Sequence, residues 1–587
     1  MSTSNKHQPS IALLQTCQTC FNAKIRCEKT QDSELCDRCL RLGKACVFGP
    51  ARRRRNLNRP ADGLRVKSRP RQTSKSPTGS QSSSSALNPG RSIEIFNKDA
   101  SVDPFQLGIV SLETGEKLIG YFKTRMTPYF PFVVFPDALS ALDMNSERPC
   151  ACLAALTVSS HADTHTQKAL GTLFNQVVAA RLASGKFNSL DLLQGLLIYL
   201  AWAHYSPRPK RHTQHLLLAT SIVSDLRLDR PRRPELWSVD GGKDKNEPDW
   251  GHDEMRALAG VYYLSSNSSV VIQKSRHFSY TAYISRCCDH LAILDQHPTD
   301  KYLSYIIRIQ TMAEEVEDIV SRTSTSGDVP QFFSQIQLVA QKCADLKNTL
   351  PFSLGVSPPL LLQFYMLELL LSQASPGGTP FGLDKFRVNL DQAGGQASLI
   401  DWLSTSISAA RSLMSMILVL PQGEEAAMSN MGWIMMHCAL SLAVRLDLLA
   451  AAGSISGATQ HLRKFLDMPY TLRQIMLRLE ASAGSEKTHM ASDHHPFEDL
   501  AKRGRKLEEW YLARAGREAV SSAPTKSTQV TDQSTMATGI DRNTATVTVT
   551  GPSSWVEGDW YRDLEADIGT FMFTDFMNFA GGFGLGN

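Results

Sequence analysis

Features that mark many enzymes, membrane proteins and secreted proteins are missing from this sequence of 587 residues. It contains no glycine-rich phosphate-binding loop, no nucleophile elbow and no paired catalytic carboxylates, so we predict that it is not an enzyme. The first ten residues are polar and no cleavable apolar run follows them, so we expect no secretory signal peptide. The most apolar stretch, residues 192–203, is too short to span a bilayer, and we expect no membrane partner.

Alternating patterns of apolar and polar residues are scarce, which argues against a β-rich fold. From about Phe96 to Gly516, apolar residues recur at three- and four-residue spacing, as in amphipathic helices. The clearest helical segments are residues 190–205, 215–228, 302–321, 360–372, 407–420 and 433–451. The pattern therefore predicts a large all-α domain over residues 93–516.

Acidic residues are rare at the N-terminal end of the chain. Residues 1–75 carry 17 Lys or Arg against five Asp or Glu, a net charge of +12, which leaves −7 for the other 512 residues. A short basic head on a mildly acidic body predicts a polyanionic partner that binds at one end of the chain.

Six of the 12 cysteines lie in this basic head at regular spacing. The pattern is C-x2-C-x6-C, a gap of eight residues, then C-x2-C-x6-C again, which makes the segment a duplication of CQTCFNAKIRC and CDRCLRLGKAC. In the reducing compartment that we expect, clustered cysteines favour a metal site over disulfides. A disulfide knot and a zinc module that binds protein are the alternatives. The predicted metal ligands are Cys17, Cys20, Cys27, Cys36, Cys39 and Cys46.

The number of cysteines indicates how many metal ions they bind. Tetrahedral zinc takes four ligands, and thiolates are preferred in closed structural sites. One four-cysteine site would leave two thiols unused, and two separate sites would need eight ligands. Six thiolates complete two tetrahedra if two of them bridge both ions, and geometry favours the first cysteine of each half, Cys17 and Cys36. We therefore predict two zinc ions.

The segment CQTCFNAKIRC…CDRCLRLGKACVF resembles the fungal binuclear zinc-cluster family of DNA-binding transcription regulators. The resemblance implies a small two-helix fold in which each helix is capped by the metal and in which Cys17 and Cys36 are the bridging ligands. It also implies that the first helix enters the major groove at CGG-type triplets, with Lys24 as the base-contacting residue. The equivalent position of the second half holds Gly43, so we expect the two halves to differ in function.

Lys24 suits that role because an ammonium group can donate to the N7 and O6 acceptors of guanine. Other basic side chains of the head are better placed to contact phosphates, which position a protein without specifying sequence. These are Arg26, Lys29, Arg38, Arg41 and Lys44. The family often has a basic residue where this chain has Phe21, so one phosphate contact of the family is expected to be weaker here.

An arginine-rich tract follows the cysteine cluster directly. Such tracts serve as phosphate-contacting arms, as nuclear-import signals, or as both. We assign both roles to Arg52, Arg53, Arg54 and Arg55, which predicts a nuclear protein that binds double-stranded DNA. No sustained heptad repeat lies between Arg52 and Ser92, so a monomer and a homodimer formed through the later helices both stay open.

The C-terminal tail, residues 553–587, mixes aromatic residues with six acids and one arginine. Its aromatic residues include Trp555, Trp560, Tyr561, Phe571, Phe573, Phe576 and Phe579. This composition is expected of activation segments that fold on a coactivator, although a strap packed on the body is the alternative. The predicted organisation is a disordered leader (1–16), the zinc cluster (17–46), a basic tract and linker (47–92), the all-α domain (93–516), a disordered linker (517–552) and the tail.

The all-α domain also resembles the helical middle region of these regulators, over residues 117–136, 189–231 and 254–272. The resemblance implies a regulatory domain in an RNA polymerase II transcription regulator, and the acidic tail favours an activator. Members of the family often control metabolic or secondary-metabolite gene clusters, which is the process that the resemblance implies. The alternatives are a repressor or DNA-tethered scaffold with a structural tail, and an enzyme with a zinc head that tethers it to DNA.

Overall fold

The computed structural model describes residues 17, 20, 27–28, 35–43, 46, 103–205, 212–231, 250–272, 278–376, 395–451, 455–484 and 496–521. The chain divides into two compact units, Met1–Asn88 and Pro89–Asn587. The first unit contains the cysteine-rich head, and the second contains the helical body.

In the head, helix α1 spans Asp37–Arg41 in the second cysteine half. Cys36 is its N-cap, with extended backbone at φ −75° and ψ 150°. The helix ends just before Gly43, whose φ is 59°, a left-handed conformation in which glycine lacks the Cβ clash of other residues. Most of the first half lies outside the described residues, so the second helix of the predicted two-helix cluster stays a prediction.

The described part of the body is helical and contains no strand, which confirms the prediction of a large all-α region. Its α-helices are α2 (Leu112–Tyr121), α3 (Ala141–Glu147), α4 (Pro149–Ser159), α5 (Thr164–Ala183), α6 (Leu190–Ala201), α7 (His212–Leu226), α8 (His252–Val270), α9 (Ala282–Leu294), α10 (Asp300–Ser326), α11 (Val329–Asn348), α12 (Pro358–Gln373), α13 (Gly395–Val419), α14 (Asn430–Ala450), α15 (Ser456–Leu466), α16 (Met468–Gly484) and α17 (Pro496–Ser521). Helix α17 extends five residues past the predicted domain end at 516. The other domain bounds stay predictions.

Short polar side chains fix where several helices begin. At α3, Ser140 accepts from the backbone N–H of Asp143, whose carboxylate accepts from the backbone N–H of Ser140 in return. At α4 the cap comes from another helix, because Asp191 of α6 accepts from the backbone N–H groups of Cys150 and Ala151. A carboxylate at a helix N-terminus satisfies free donors and complements the helix dipole. Asp191 therefore fixes the packing of α4 on α6.

Helices α4 and α14 form the centre of the body. Every residue of α4 after Pro149 is buried, and nearly all of α14 is buried. A helix surrounded by apolar contacts on all sides lies in the interior of a large domain. Gly195 lets α6 approach α4 closely, since a Cβ there would lie 2.8 Å from the carbonyl oxygen of Cys150.

Two body helices are long and apolar enough to cross a membrane by length and composition alone: Ala397–Val419 within α13, and α14. Their most apolar windows are 44% and 89% buried inside the body. Helix α14 thus packs as a core helix does. Both are longer than residues 192–203, the stretch that we singled out from the sequence, and the lack of a membrane partner stays a prediction.

A buried ion pair joins α8 to the start of α10. The guanidinium of Arg256 donates to both carboxylate oxygens of Asp300, at 2.8 and 2.7 Å, and the Asp300 side chain is fully buried. Arg256 also donates to Asp253 at 3.0 Å. Hydrogen bonds to both oxygens offset part of the cost of burying these charges.

A short 3-10 turn, Glu424–Ala427, connects early and late helices of the body. The indole N–H of Trp202, just after α6, donates to the carbonyl oxygen of Ala427 at 3.0 Å. On the other side, Arg478 of α16 donates to the buried carboxylate of Glu425 at 2.7 Å. The turn therefore holds helices together that are more than 200 residues apart in the sequence.

Candidate metal centre in the cysteine-rich head

The six cysteine sulfurs of the head form two overlapping sets of four. Within each set, all Sγ atoms lie within 4.8 Å of one another. One set contains Cys17, Cys20, Cys27 and Cys36, and the other contains Cys17, Cys36, Cys39 and Cys46. Cys17 and Cys36 thus belong to both sets.

The spacing between the sulfurs fits tetrahedral zinc. The Sγ of Cys17 lies 3.7 Å from that of Cys36 and 3.8 Å from that of Cys39, and the Sγ of Cys20 lies 3.7 Å from that of Cys36. Thiolates about 2.3 Å from one zinc ion stand about 3.8 Å apart at the corners of a tetrahedron. A disulfide would need about 2.05 Å, and all six cysteines are free. The donor set is therefore one that could hold metal, and it is not a disulfide knot.

The two halves repeat the same local hydrogen bonds, as expected of a duplication. The backbone N–H of Cys17 donates to the Sγ of Cys27 at 3.4 Å, and that of Cys36 donates to the Sγ of Cys46 at 3.3 Å. In each half, the backbone N–H of the first cysteine thus holds the sulfur of the last. The duplicated spacing in the sequence produces a duplicated arrangement of sulfurs.

The cysteines that the two sets share also have the lowest pKa values of the cluster. The backbone N–H of Cys39 is the main cause that lowers the pKa of the Cys36 thiol to about 6. The N–H of Cys20 likewise lowers the pKa of Cys17. Burial has the opposite effect on Cys20 and raises its pKa to about 12. Thiolates are the metal-binding form of cysteine, and a bound cation would offset the repulsion between thiolates at this spacing.

The six cysteines of the body have a different environment. All of them are buried in the helical core: Cys150, Cys152, Cys287, Cys288, Cys343 and Cys438. Burial raises the pKa of Cys287 and Cys343 to about 11 and that of Cys438 to about 12. Buried thiols of this kind behave as small apolar side chains. Within the described residues, only the head cysteines form groups that could hold a metal ion.

The structure describes only part of the predicted DNA-contacting surface. Arg38 and Arg41 lie on α1, where Arg38 is half-buried and Arg41 is exposed. The predicted contacts of the first half and of the basic tract lie outside the described residues: Lys24, Arg26, Lys29, Lys44, Arg52, Arg53, Arg54 and Arg55. Their roles in DNA binding stay predictions.

Similarity to other proteins extends over most of the chain. The chain is 30% identical over 526 residues to "Transcription factor himD" of Aspergillus japonicus, a match that covers 86% of this chain and 84% of the relative. This chain belongs to the same family of fungal transcription factors. The family includes "Transcription factor opdL" of Penicillium oxalicum, 24% identical over 61% of this chain and 66% of the relative. It also includes "Transcription factor pbcR" of Emericella nidulans, 22% identical over 55% of this chain and 50% of the relative.

No protein-family model matches the chain, and no solved structure is detectably similar to it. Membership of the family supports a transcription regulator, and the names of these relatives indicate no enzyme. The clustered cysteines of the head are consistent with a zinc-cluster member of the family. The finer assignments, which are the metal count, the DNA contacts and the direction of regulation, are proposals.

Proposed function

We propose that this family member binds DNA sequence-specifically through a head that two zinc ions fold. The observation that carries the proposal is the pair of four-sulfur sets that overlap in Cys17 and Cys36. One ion would be held by Cys17, Cys20, Cys27 and Cys36, and the other by Cys17, Cys36, Cys39 and Cys46. The metal supplies the fixed geometry that a segment with little apolar core cannot supply alone.

The first half of the head reads the bases in this proposal, and the second half positions the head on the phosphates. Lys24 donates to guanine in a CGG-type triplet. The second half has Gly43 at the equivalent position, and its φ of 59° ends α1 there, so no side chain can make the matching contact. The phosphate contacts are Arg26, Lys29, Arg38, Arg41 and Lys44.

The arginine tract adds affinity without sequence preference. Arg52, Arg53, Arg54 and Arg55 contact phosphates next to the triplet and serve as the nuclear-import signal. Six thiolates and two zinc ions sum to a charge of −2, which offsets little of the +12 carried by residues 1–75. The head therefore keeps its attraction for DNA when metal is bound, and the protein is nuclear.

The regulator acts as an activator through its tail in this proposal. The six acids of residues 553–587 keep the tail aromatics solvated until a hydrophobic groove of a coactivator accepts them. A repressor or scaffold, in which the tail has only a structural role, is the alternative. The resemblance to zinc-cluster regulators also supports control of a secondary-metabolite gene cluster. Both a monomer and a homodimer formed through the helical body stay open.

Selection of bound sequences from random DNA by the full chain tests this function. We expect an enriched CGG-type triplet, and a second copy at fixed spacing if the protein binds as a dimer. Enrichment should disappear when a chelator removes zinc in reducing buffer. Enrichment that persists in the metal-free protein, or a selected pool without any shared triplet, would contradict the proposal.

A further inference from the structure

A surface groove of about 430 Å³ lies between α13, α15 and α16 of the body. It is lined by Arg411, Met414, Ser415, Leu418, Lys464, Phe465, Asp467, Tyr470 and Thr471. No sequence pattern singled it out, because the α13 wall, which ends at Leu418, and the α15–α16 wall, which begins at Lys464, are 46 residues apart in the sequence.

The groove combines positive charge with exposed aromatic surface. The guanidinium of Arg411 lies 4.4 Å from the ring centroid of Phe465, and Lys464 is exposed beside it. Phe465 is 49% exposed and Tyr470 is 58% exposed. Asp467 is the single acid among the lining residues. A partner that carries aromatic side chains next to carboxylates matches this surface in both charge and apolar contact.

The C-terminal tail of this chain has that composition. Residues 553–587 carry six acids against Arg562 and bring aromatic pairs such as Trp560 with Tyr561 and Phe571 with Phe573. Acids flank these aromatics, as in Asp559 before Trp560.

Helix α17 runs toward the end of α16 that borders the groove. Helix α17 packs antiparallel to α16. Arg505 of α17 pairs with Glu480 of α16, whereas Glu508, which comes later on α17, approaches Arg473, which comes earlier on α16. Helix α17 therefore continues past the end of α16 that carries Tyr470. Its last residue, Ser521, is followed by 31 residues before the tail begins. A random-coil linker of 31 residues has a root-mean-square end-to-end distance of about 31 Å. A tether of that length favours docking within one chain through its high effective concentration.

We propose that residues 553–587 dock in this groove of their own chain. The tail aromatics contact Phe465 and Tyr470, and the tail carboxylates face Arg411 and Lys464. The groove and a coactivator then compete for the same aromatic residues. The docking does not depend on the proposed activation, because a tail with only a structural role would also occupy the groove.

Photo-cross-linking in the full chain tests the docking. Tyr470 is replaced by the photoreactive amino acid p-benzoylphenylalanine, and cross-linked peptides are identified by mass spectrometry. We expect cross-links to peptides from residues 553–587, at a yield that does not depend on protein concentration. In a mixture of ¹⁵N-labelled and unlabelled protein, these cross-links should join peptides of the same isotope.

Charge reversal provides the matched comparison. Arg411→Glu combined with Lys464→Glu should lower the cross-link yield roughly tenfold, because two weak surface attractions become repulsions. Lys186→Glu with Arg322→Glu, which changes two exposed cations outside the groove, should leave the yield unchanged. On the tail side, Phe571→Ser with Phe573→Ser should also lower the cross-link yield. Because these two substitutions leave the body unchanged, they test the docking even if the variant with Arg411→Glu and Lys464→Glu misfolds.

Three results would overturn the docking: cross-links that avoid the tail, cross-links of mixed isotope, or equal yields in the groove and control variants. DNA selection by the same variants separates this outcome from failure of the proposed function. The groove variants should retain the triplet preference, since neither substitution lies in the head.

Discussion

The sulfur atoms of Cys17 and Cys36 lie 3.7 Å apart, and both four-sulfur sets of the head contain this pair. Each is the first cysteine of its half, and each has its pKa lowered mainly by the backbone N–H of the cysteine three residues later. If six thiolates hold two ions, the two that bridge must belong to both sets, and Cys17 and Cys36 are the cysteines that do. The head of this family member is built around that pair.

Removal of zinc should abolish DNA binding and spare the helical body. The head and the body are separate compact units, and the only metal-compatible groups among the described residues are in the head. With chelator in reducing buffer, we expect sequence-specific binding to fall at least a hundredfold in a mobility-shift assay. Far-UV circular dichroism should change little, because the body carries most of the helix. Loss of most helical signal on chelation would contradict this division.

Lys24 and Arg41 should differ in how their loss changes DNA binding. Lys24→Ala should weaken binding to the preferred triplet by about 1–3 kcal/mol and relax base preference there, because a base-edge contact is lost. Arg41→Ala should weaken binding to all sequences alike and reduce the slope of log affinity against log salt by about one.

Fluorescence anisotropy at several salt concentrations, with a matched and a scrambled site, distinguishes the two effects. Replacing Arg52, Arg53, Arg54 and Arg55 together with Ala should flatten the salt dependence further. If Lys24→Ala weakened both sites equally, the assignment of Lys24 to base recognition would be wrong.

The buried pair between Arg256 and Asp300 should matter for stability far more than an exposed one. Arg256→Met leaves the fully buried Asp300 carboxylate without its main partner, which should cost about 3–5 kcal/mol. The control Lys117→Met breaks the exposed pair with Glu113, whose side chains are 73% and 81% exposed, and should cost less than about 0.5 kcal/mol. Urea unfolding measures the free energy of unfolding of both variants, and an equal decrease in the two would contradict this prediction.

Acid should destabilise the body partly through His437. Burial, together with the charges of Arg445 and Arg503, lowers the pKa of this imidazole to about 4 in the folded state. The unfolded chain takes up the proton near pH 6.5, so the unfolded state binds more protons between pH 6.5 and 4. The free energy of unfolding should therefore fall as the pH drops through this window, by about 2–3 kcal/mol from this group.

His437→Gln, which stays neutral, should reduce that loss when unfolding is followed at pH 7.5, 6, 5 and 4. At pH 7.5 both proteins have a neutral side chain at this position, and that measurement gives the cost of the substitution itself. If the free energy of unfolding of the variant falls with decreasing pH as steeply as that of the parent protein, His437 is excluded as a source of acid sensitivity.

The tail should activate transcription on its own when it is moved to another protein. Residues 553–587 fused to an unrelated DNA-binding domain should raise reporter expression, and Phe571→Ser with Phe573→Ser should reduce it. A scrambled tail of the same composition is the control for charge alone. An inactive fusion that is stably expressed would favour the repressor or scaffold.

Local spacing in the sequence was enough to predict the parts of the structure that depend on neighbouring residues. The three- and four-residue periodicity of residues 302–321 predicted a helix that is part of α10, which ends before Gly327, whose φ is 71°. The cysteine spacing indicated which side chains lie close together, because C-x2-C and x6-C separations are short and restrict the local geometry. The bridging role of Cys17 and Cys36 stays a prediction.

Contacts between distant segments could not be predicted in this way. Arg256 and Asp300 are 44 residues apart, and Trp202 reaches a carbonyl 225 residues away. Their pairing depends on how whole helices pack, which periodicity does not encode. The groove of Arg411 and Lys464 was missed for the same reason, since nothing in either local sequence marks these cations as neighbours.

Zinc analysis of the purified full chain tests most directly whether the six head cysteines hold two zinc ions. Metal content by mass spectrometry should be two zinc ions per chain, and it should stay at two in Cys343→Ala, which removes a body thiol. Cys46→Ala affects one sulfur set and should retain about one ion, whereas Cys36→Ala affects both sets and should retain less. One zinc ion or none in the parent protein, or equal losses from Cys46→Ala and Cys36→Ala, would contradict a cluster bridged by Cys17 and Cys36.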